Sequence, residues 1–298
     1  MLLRPHIATA GSSRRSLVLL LIVGCVGATA RAGGGQQLLF STKVEAVRVD
    51  VLVTDRGQPV RGLKDADFEL LDNDVLQQVD LVSFDEVPLN VILALDMSSS
   101  VAGERLDHLR AAGHALLRQL KPEDQSALVT FSYPVQLAAN LSRDAAPLRH
   151  ALDEAEAEGR TSLVDGAFAA MTLGESDAGR ALIIVFSDGV DTSSWLSADA
   201  VLETAKRSDV VVYAVAAGRS KASDFLRDLT SLTGGHLYEV EKTANLSAIF
   251  LGVLEEFRHR YLVSYTPRGV SRDGWHRLTV RVKRAGTVRA RPGYLGGS

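Results

Sequence analysis

Asp96-Met97-Ser98-Ser99-Ser100 places a carboxylate and two hydroxyls at alternate positions, directly after the apolar run Val91-Ile92-Leu93-Ala94-Leu95. Such a run reads as a strand buried on both faces. The three oxygens then stand at its carboxyl end, where ligands gather in open parallel sheets. A second acid, Asp188 in Ser187-Asp188-Gly189, follows a second buried run at 181–186, and Thr161 occupies the loop Gly159-Arg160-Thr161-Ser162-Leu163 before a helix. An oxygen-only set of hydroxyls and carboxylates suits a hard divalent cation, Mg²⁺ first with Mn²⁺ or Ca²⁺ as alternatives. It does not suit Zn²⁺ or copper, which favour His or Cys. With neutral hydroxyls close to the ion and the carboxylates acting partly through water, the metal keeps positive charge and an open position. It would then accept a carboxylate from another molecule. The plainer alternative is that Asp96 and Ser98 cap the following helix and that Asp188-Gly189 is a turn.

The elements that must position these groups are legible as two grammars. Residues 39–86 alternate in period two, with Val47, Val49, Val51 and Val53 broken by a turn signal at Asp55-Arg56-Gly57. Residues 68–71 and 79–82 flank a second turn at Asp72-Asn73-Asp74, giving a small antiparallel β segment. Asp65, Asp67, Asp72 and Asp74 read as turn chemistry, since no complete calcium loop is present. Residues 87–258 alternate strands with helices, which implies a mainly parallel sheet with crossovers. Helical stripes fall on Leu106, Leu109, Leu116 and Leu120, on 148–155, on 163–171, and on Leu246, Ile249, Phe250, Val253, Leu254 and Phe257. Strands are expected at 127–131 and 210–215. Residues 259–298 return to period two and supply too few strands to stand alone. They are expected to pack with 39–86 in one β unit.

The chemical set resembles the metal-ion-dependent adhesion site (MIDAS) of von Willebrand factor A domains. Asp96, Ser98 and Ser100 match its first motif, Thr161 its threonine and Asp188 its second aspartate. The resemblance covers 87–258 and implies a doubly wound α/β sheet with helices on both faces, with protein ligands bound through the metal on the top rim. The flanks, through Val51-Leu52-Val53, Asp67-Phe68-Glu69-Leu70, Tyr261-Leu262-Val263-Ser264-Tyr265 and Arg291-Pro292-Gly293-Tyr294, resemble a bacterial exported group of VWFA-related domain proteins. The chain departs from the pattern at Gly159-Arg160, where many such domains have paired glycines. The function these likenesses imply is a metal-dependent adhesion or assembly module whose partner donates an Asp or Glu carboxylate. The alternatives are a metal-assisted hydrolase, or a structural envelope protein whose metal only stabilises the fold.

Catalysis has little support in the sequence. Seven histidines lie in no recognisable catalytic context, and no nucleophile elbow, His-Glu-x-x-His pair or phosphate loop occurs. Residues 1–32 carry Arg4, Arg14, Arg15 and Arg31, no acid, and a short apolar run at 17–23, which reads as an export signal and not a membrane span. Cleavage is expected after Ala30 or Ala32, or at a lipobox whose Cys25 becomes a lipidated anchor. The protein is thus expected in the periplasm, cell envelope or extracellular space, with no transmembrane span after processing. The lone cysteine of 298 residues excludes an intramolecular disulfide. The net charge of -3 conceals a charge of -10 over 87–256 and +9 over 257–298. An anionic surface is an expected contact of the basic tail, and nucleic acid is not.

Overall fold

The valine alternation of the N-terminal segment becomes a strand, β1 (Val47–Asp55), that turns Val49, Val51 and Val53 fully inward. The structure, a computed structural model, describes residues 46–297 apart from 85–86, 176–178, 219–223 and 285. The export signal expected at 1–32, with Cys25, lies outside the described residues. β1 reverses at Arg56-Gly57, both at positive φ (49° and 78°), into the two-residue β2 (Gln58–Pro59). This is the backbone handedness that matches a hairpin to the twist of its strands. β3 (Phe68–Asp72) reverses at Asn73-Asp74, again both at positive φ, and pairs with β4 (Val75–Gln77). The sequence pattern places 79–82 across that turn; in the structure those residues open β5 (Val79–Phe84), which belongs to a different sheet. A turn this tight takes its partner from the residues that follow at once. Gln77 then ties the chain down, donating from Nε2 to Arg268 O (3.0 Å) and accepting from Arg268 N (2.8 Å).

From residue 89 strands and helices alternate. β6 (Leu89–Asp96) is buried along its whole length and leads into α1 (Glu104–Leu117). There follow β7 (Gln125–Phe131), the antiparallel edge strand β8 (Val135–Ser142), α2 (Ala146–Glu154), α3 (Leu163–Gly174), β9 (Arg180–Ser187), α4 (Ala198–Ala205), β10 (Val211–Ala217), α5 (Asp224–Thr233), β11 (Leu237–Val240) and α6 (Leu246–Arg258). The sheet order is β11-β10-β9-β6-β7-β8. The chain thus winds outward from β6 on one side and resumes at β9 on the other, so β6 and β9 flank the point where the winding reverses. Alternate side chains of β6 feed opposite faces. Val91, Leu93 and Leu95 pack with Leu109, Leu152 and Phe250 of α1, α2 and α6, while Ile92 and Ala94 pack with Met171, Val201 and Leu229 of α3, α4 and α5. This is a doubly wound α/β layer. The sequence pattern assigns no element to 135–142, 198–205, 224–233 or 237–240.

The tail returns to the N-terminal strands. β12 (Tyr261–Tyr265) runs between β1 and β5, antiparallel to both, with Val263 opposite Val49. β13 (Gly274–Val282) pairs with β3, β14 (Thr287–Arg289) with β1, and β15 (Gly293–Gly296) with β13. Two sheets result, β14-β1-β12-β5 with β2 alongside β1, and β15-β13-β3-β4. Val51, Leu70, Val263 and Leu278 share one core, and the Phe68 and Tyr261 rings meet edge to face at 5.4 Å. Asp72 is no turn residue. It is fully buried and accepts from Tyr265 Oη (2.8 Å) and Tyr294 Oη (3.0 Å), with His276 Nδ1 at 2.8 Å.

Three buried arginines weld these sheets to the α/β layer. Arg180, at the start of β9, pairs with Asp50 of β1 and lies over the Phe257 ring at 4.8 Å. Arg260 donates to Tyr213 Oη (2.8 Å) and Gly234 O (2.7 Å), and Arg291 donates to Ser208 O (2.7 Å) and Lys206 O (2.9 Å). Seven of the ten basic residues in 257–298 lie within ion-pair distance of carboxylates elsewhere in the fold, so the tail's charge is largely matched internally. Arg180→Ala would strand a buried Asp50 carboxylate and is expected to lower unfolding free energy in urea by about 3–5 kcal/mol. The double replacement Asp50→Asn with Arg180→Met should cost less than that single change. A loss below about 1 kcal/mol for Arg180→Ala would show the weld to be dispensable.

Candidate metal centre

Asp96 is the last residue of β6 and is fully buried. Both its oxygens are held: Oδ1 accepts from Ser98 N (2.8 Å) and Oδ2 from Ser187 Oγ (2.7 Å), on the adjoining strand β9. Burial pushes its pKa up, the bonds from Ser187 and Ser98 pull it back, and the nearby Asp188 charge pushes it up further. The chain then leaves the sheet through a short 3₁₀ turn at Ser99–Val101, and Gly103 at φ 75° admits it into α1. Ser98 makes no side-chain cap bond, and α1 begins only at Glu104. The helix-cap alternative therefore does not describe these side chains.

The hydroxyls form a chain toward the second acid. Ser98 Oγ and Ser100 Oγ are 3.1 Å apart, and Ser100 Oγ donates to Asp188 Oδ1 at 2.6 Å. Asp188, immediately after β9, has a fully covered side chain, and its Oδ2 pairs with Arg105 from the first turn of α1. Arg105 Nη1 also donates to Ser100 O (3.1 Å). Asp188-Gly189 is thus more than a turn, because two separate segments engage its carboxylate.

Thr161 enters from the opposite side. Its carbonyl accepts from Thr192 N (2.9 Å) and Ser193 N (3.1 Å), and its N–H donates to Thr192 Oγ1 (3.1 Å). A Cβ built on Gly189 would meet the Thr161 hydroxyl at 3.4 Å, so that hydroxyl faces the Asp188 loop. The structure therefore gathers all five sequence-derived positions at one end of the sheet. Asp96, Ser98, Ser100 and Asp188 are linked through hydrogen bonds, and Thr161 lies beside Gly189. Three neutral hydroxyls with two mutually repelling carboxylates fit a hard cation. With two carboxylates, the set does not amount to a group of three or more His, Cys, Asp or Glu, and no such group occurs among the described residues.

Several functional contacts have no signal in the motifs. Arg105 and Ser187 act through partners 83 and 91 residues away. Ser187 could have been found by its place between a buried strand and Asp188; nothing local marks Arg105. The acids Asp65, Asp67, Asp72 and Asp74 do not share a site. Asp67 Oδ2 accepts from Lys64 N (2.9 Å), Asp72 is buried with His276, and Asp74 pairs with Arg277.

The family model described as the von Willebrand factor type A domain matches residues 90–251, from β6 into α6. The chain belongs to the von Willebrand factor type A (VWA) family. A curated relative, the uncharacterized protein sll0103 of Synechocystis sp., is 28% identical over 82 residues, which is 27% of this chain; the match spans only 20% of that relative's length. Among solved structures, proximal thread matrix protein 1 (PTMP1) from the mussel byssus, with zinc occupying its MIDAS motif, is similar at a TM-score of 0.52 and 17% identity over 62% of this chain and 49% of that one. The vWF domain of the type V pilus tip protein Mfa5 from Porphyromonas gingivalis gives 0.49 and 15%, over 62% of this chain and 98% of that domain. The VWA match covers the doubly wound layer and leaves the paired β sheets outside it.

A carboxyl whose folded-state pKa lies above its unfolded value favours folding while protonated, and that advantage is lost as pH rises through the folded pKa. Asp96 is such a group, so with chelator present it opposes folding at neutral pH. Asp96→Asn is expected to raise the Tm in chelator at pH 7, with the gain shrinking as pH falls from the raised folded-state pKa toward the unfolded carboxyl range and gone below it. Thermal melts across pH check this, and an unchanged or lower Tm at pH 7 would show that the carboxylate is fully compensated by its two donors.

Proposed function

We propose that this VWA chain is an exported, divalent-metal-dependent protein-binding module. Asp96, Ser98, Ser100, Thr161 and Asp188 would hold the ion, and a partner's Asp or Glu carboxylate would complete it. The observation that carries the reading is the Ser98–Ser100–Asp188 hydroxyl-carboxylate chain beside buried Asp96, at the switch point of the sheet. The ion's contribution would be a positive charge only partly neutralised by its holders, which attracts an external carboxylate. The donor chemistry favours Mg²⁺, with Mn²⁺ or Ca²⁺ as alternatives. Zinc joins the comparison because PTMP1 is described with zinc in its MIDAS motif.

This chain's own groups do the positioning. Ser187 and the Ser98 N–H fix the Asp96 carboxylate, Ser100 holds one Asp188 oxygen, and Arg105 covers the other. A hydrolytic role of the serine–histidine kind would need an imidazole beside the hydroxyls, and the Asp188 carboxylate that accepts from Ser100 Oγ is itself engaged by Arg105. The nearest partners of the helix histidines lie elsewhere, His108 on Thr243 and His114 on Asp153. A binding role is therefore the better supported one. Export rests on the signal at 1–32. Among the described residues no helix is long and apolar enough to cross a membrane.

Titration calorimetry with Mg²⁺, Mn²⁺, Ca²⁺ and Zn²⁺ tests the centre. Wild type is expected to bind at one site, and Asp96→Ala to lose at least about tenfold in affinity, the cost of removing one carboxylate's charge from the ion. Equal binding by both proteins would overturn the assignment. Capture from an envelope fraction, with and without chelator, tests the partner half of the reading, since metal-independent capture of the same proteins would move the interface off the rim.

Arg105 competes with an incoming cation for Asp188. Arg105→Met is expected to tighten metal binding by about three- to tenfold at low ionic strength and by less at high salt, because the guanidinium is half exposed and screened. Weaker binding in Arg105→Met would instead make Arg105 an organiser of the site.

A further inference from the structure

Nine large hydrophobic side chains are exposed among the described residues, and five of them, Tyr133, Leu137, Val190, Trp195 and Leu196, lie on two segments that flank the Thr161 loop. Trp195 is 87% exposed, Tyr133 61% and Val190 59%. Indole rings are large and highly buried on average, and here one stands exposed among other exposed apolar residues.

The Trp195 exposure is built in. Trp195 N and Leu196 N both donate to the Asp165 carboxylate at 2.9 Å, Asp165 N donates to Ser194 Oγ (3.1 Å), and Ser194 Oγ donates to Asp191 (2.5 Å). The loop is thus clamped onto the first turn of α3 with the indole turned outward. Tyr133 rises from a second clamped segment. Its carbonyl accepts from Ser162 Oγ (3.1 Å), and Ser162 N donates to Ser132 O (2.9 Å). Ser162 Oγ also lies 2.9 Å from Ser193 Oγ. Ser162, the neighbour of Thr161, therefore ties both aromatic-bearing segments to the metal-holding loop. Val190 follows Asp188 by two residues.

The loop before Thr161, whose Gly159 abuts Tyr133, has the opposite character. Glu154, Glu156 and Glu158 are exposed, outnumbering the exposed Arg160 that follows them, and this loop is joined to the first motif by Glu158 N to Met97 O (2.7 Å) and Ser99 N to Gly159 O (3.1 Å). A free polyanion approaching the metal would meet these acids. A peptide with a cationic flank would not be repelled.

Building on the metal-binding reading above, we propose that the ligand is a protein segment whose metal-binding Asp or Glu is neighboured by a large aromatic or aliphatic residue, seated on Trp195, and by Lys or Arg, facing Glu156 and Glu158. The rim then selects among carboxylates by what stands beside them. Trp195 supplies the apolar contact, and the acidic loop sets which way the segment runs.

The test uses the whole chain saturated with Mg²⁺ and fluorescein-labelled, end-blocked dodecapeptides read by polarisation. Two peptides carry Asp between Phe and Lys, in either order; a third carries Asp between glycines, and a fourth replaces Asp by Asn. One Phe/Lys order is expected to bind about tenfold more tightly than the glycine peptide, the scale of burying much of one aromatic face. Chelator should release it, and the Asn peptide should not bind. Trp195→Ala should bring the preferred peptide down to the glycine level, while Trp275→Phe, on β13, should leave its affinity unchanged. Charge reversal at Glu156 and Glu158 should erase the preference between the two orders. Equal, chelator-sensitive binding of the Phe and glycine peptides, or an unaffected Trp195→Ala, would overturn this inference and leave the metal reading standing. Absence of chelator-sensitive binding by any Asp peptide would overturn both. Displacement of the best peptide by a polyuronate at lower concentration than by its unlabelled copy would assign the rim to carbohydrate.

Discussion

The hydrogen bond from Ser187 Oγ to Asp96 Oδ2 is where the sheet and the site become one object. It exists because β6 and β9 are parallel neighbours in a register that sets Leu95 beside Phe186, which brings the next residue on each strand together at the carboxyl ends. A buried carboxylate without donors would be costly. With Ser187 and the Ser98 N–H in place, Asp96 stays at full burial, and the segment 98–100 is launched at the angle that carries Ser100 to Asp188. A slip of β9 against β6 would cost the packing of two cores and the donor to Asp96 at once.

The second constraint is electrostatic and acts at the other end of the strands. Arg180, Arg260 and Arg291 are buried between the paired β sheets and the α/β layer, and their partners are mostly backbone carbonyls, a tyrosine hydroxyl and carboxylates from distant segments. Such groups add little net stability compared with apolar residues of the same size, but a docking arrangement that left one of them unpaired would be strongly penalised. Four of the tail's ten basic residues pair with acids of the α/β layer and three with acids of the N-terminal β segment, so its surplus is largely matched within one molecule. This matching also leaves the end that carries Asp96 and Asp188 with its own surface pattern, exposed acids at 154–158 and the exposed Tyr133 and Trp195.

What could be read from the sequence follows from the range of each interaction. The buried runs of β6 and β9 are intrinsic to short segments, and so is the Asp-x-Ser-x-Ser spacing; both are visible without a partner. α5 is masked because Thr230 and Thr233 occupy buried positions, their hydroxyls returned to Leu226 O and Leu229 O, so polar letters interrupt an apolar stripe. β8 is an edge strand whose Leu137 faces solvent, which blurs its alternation. Asp72 reads as a turn residue because Asn73-Asp74 is a turn, whereas the partner that buries it, His276, lies 204 residues away. Arg105 and Trp195 are invisible for the same reason: their meaning depends on loops brought together only by the finished sheet.

The site is consequently least comfortable where it is most useful. Asp96 and Asp188 raise each other's energy across a short gap, and the fold answers with serine hydroxyls and one half-exposed guanidinium, not with a buried permanent cation. A fully buried arginine at position 105 would have neutralised Asp188 as firmly as Arg180 neutralises Asp50, and a metal could not then compete for it. Arg105, on the first turn of α1, is half exposed and screened by water, so it offsets less of the pair's negative potential than a buried arginine would. The contrast between the two arginine–aspartate pairs is one of solvent access: Arg180 is closed off with Asp50, whereas Arg105 stays half in water beside Asp188.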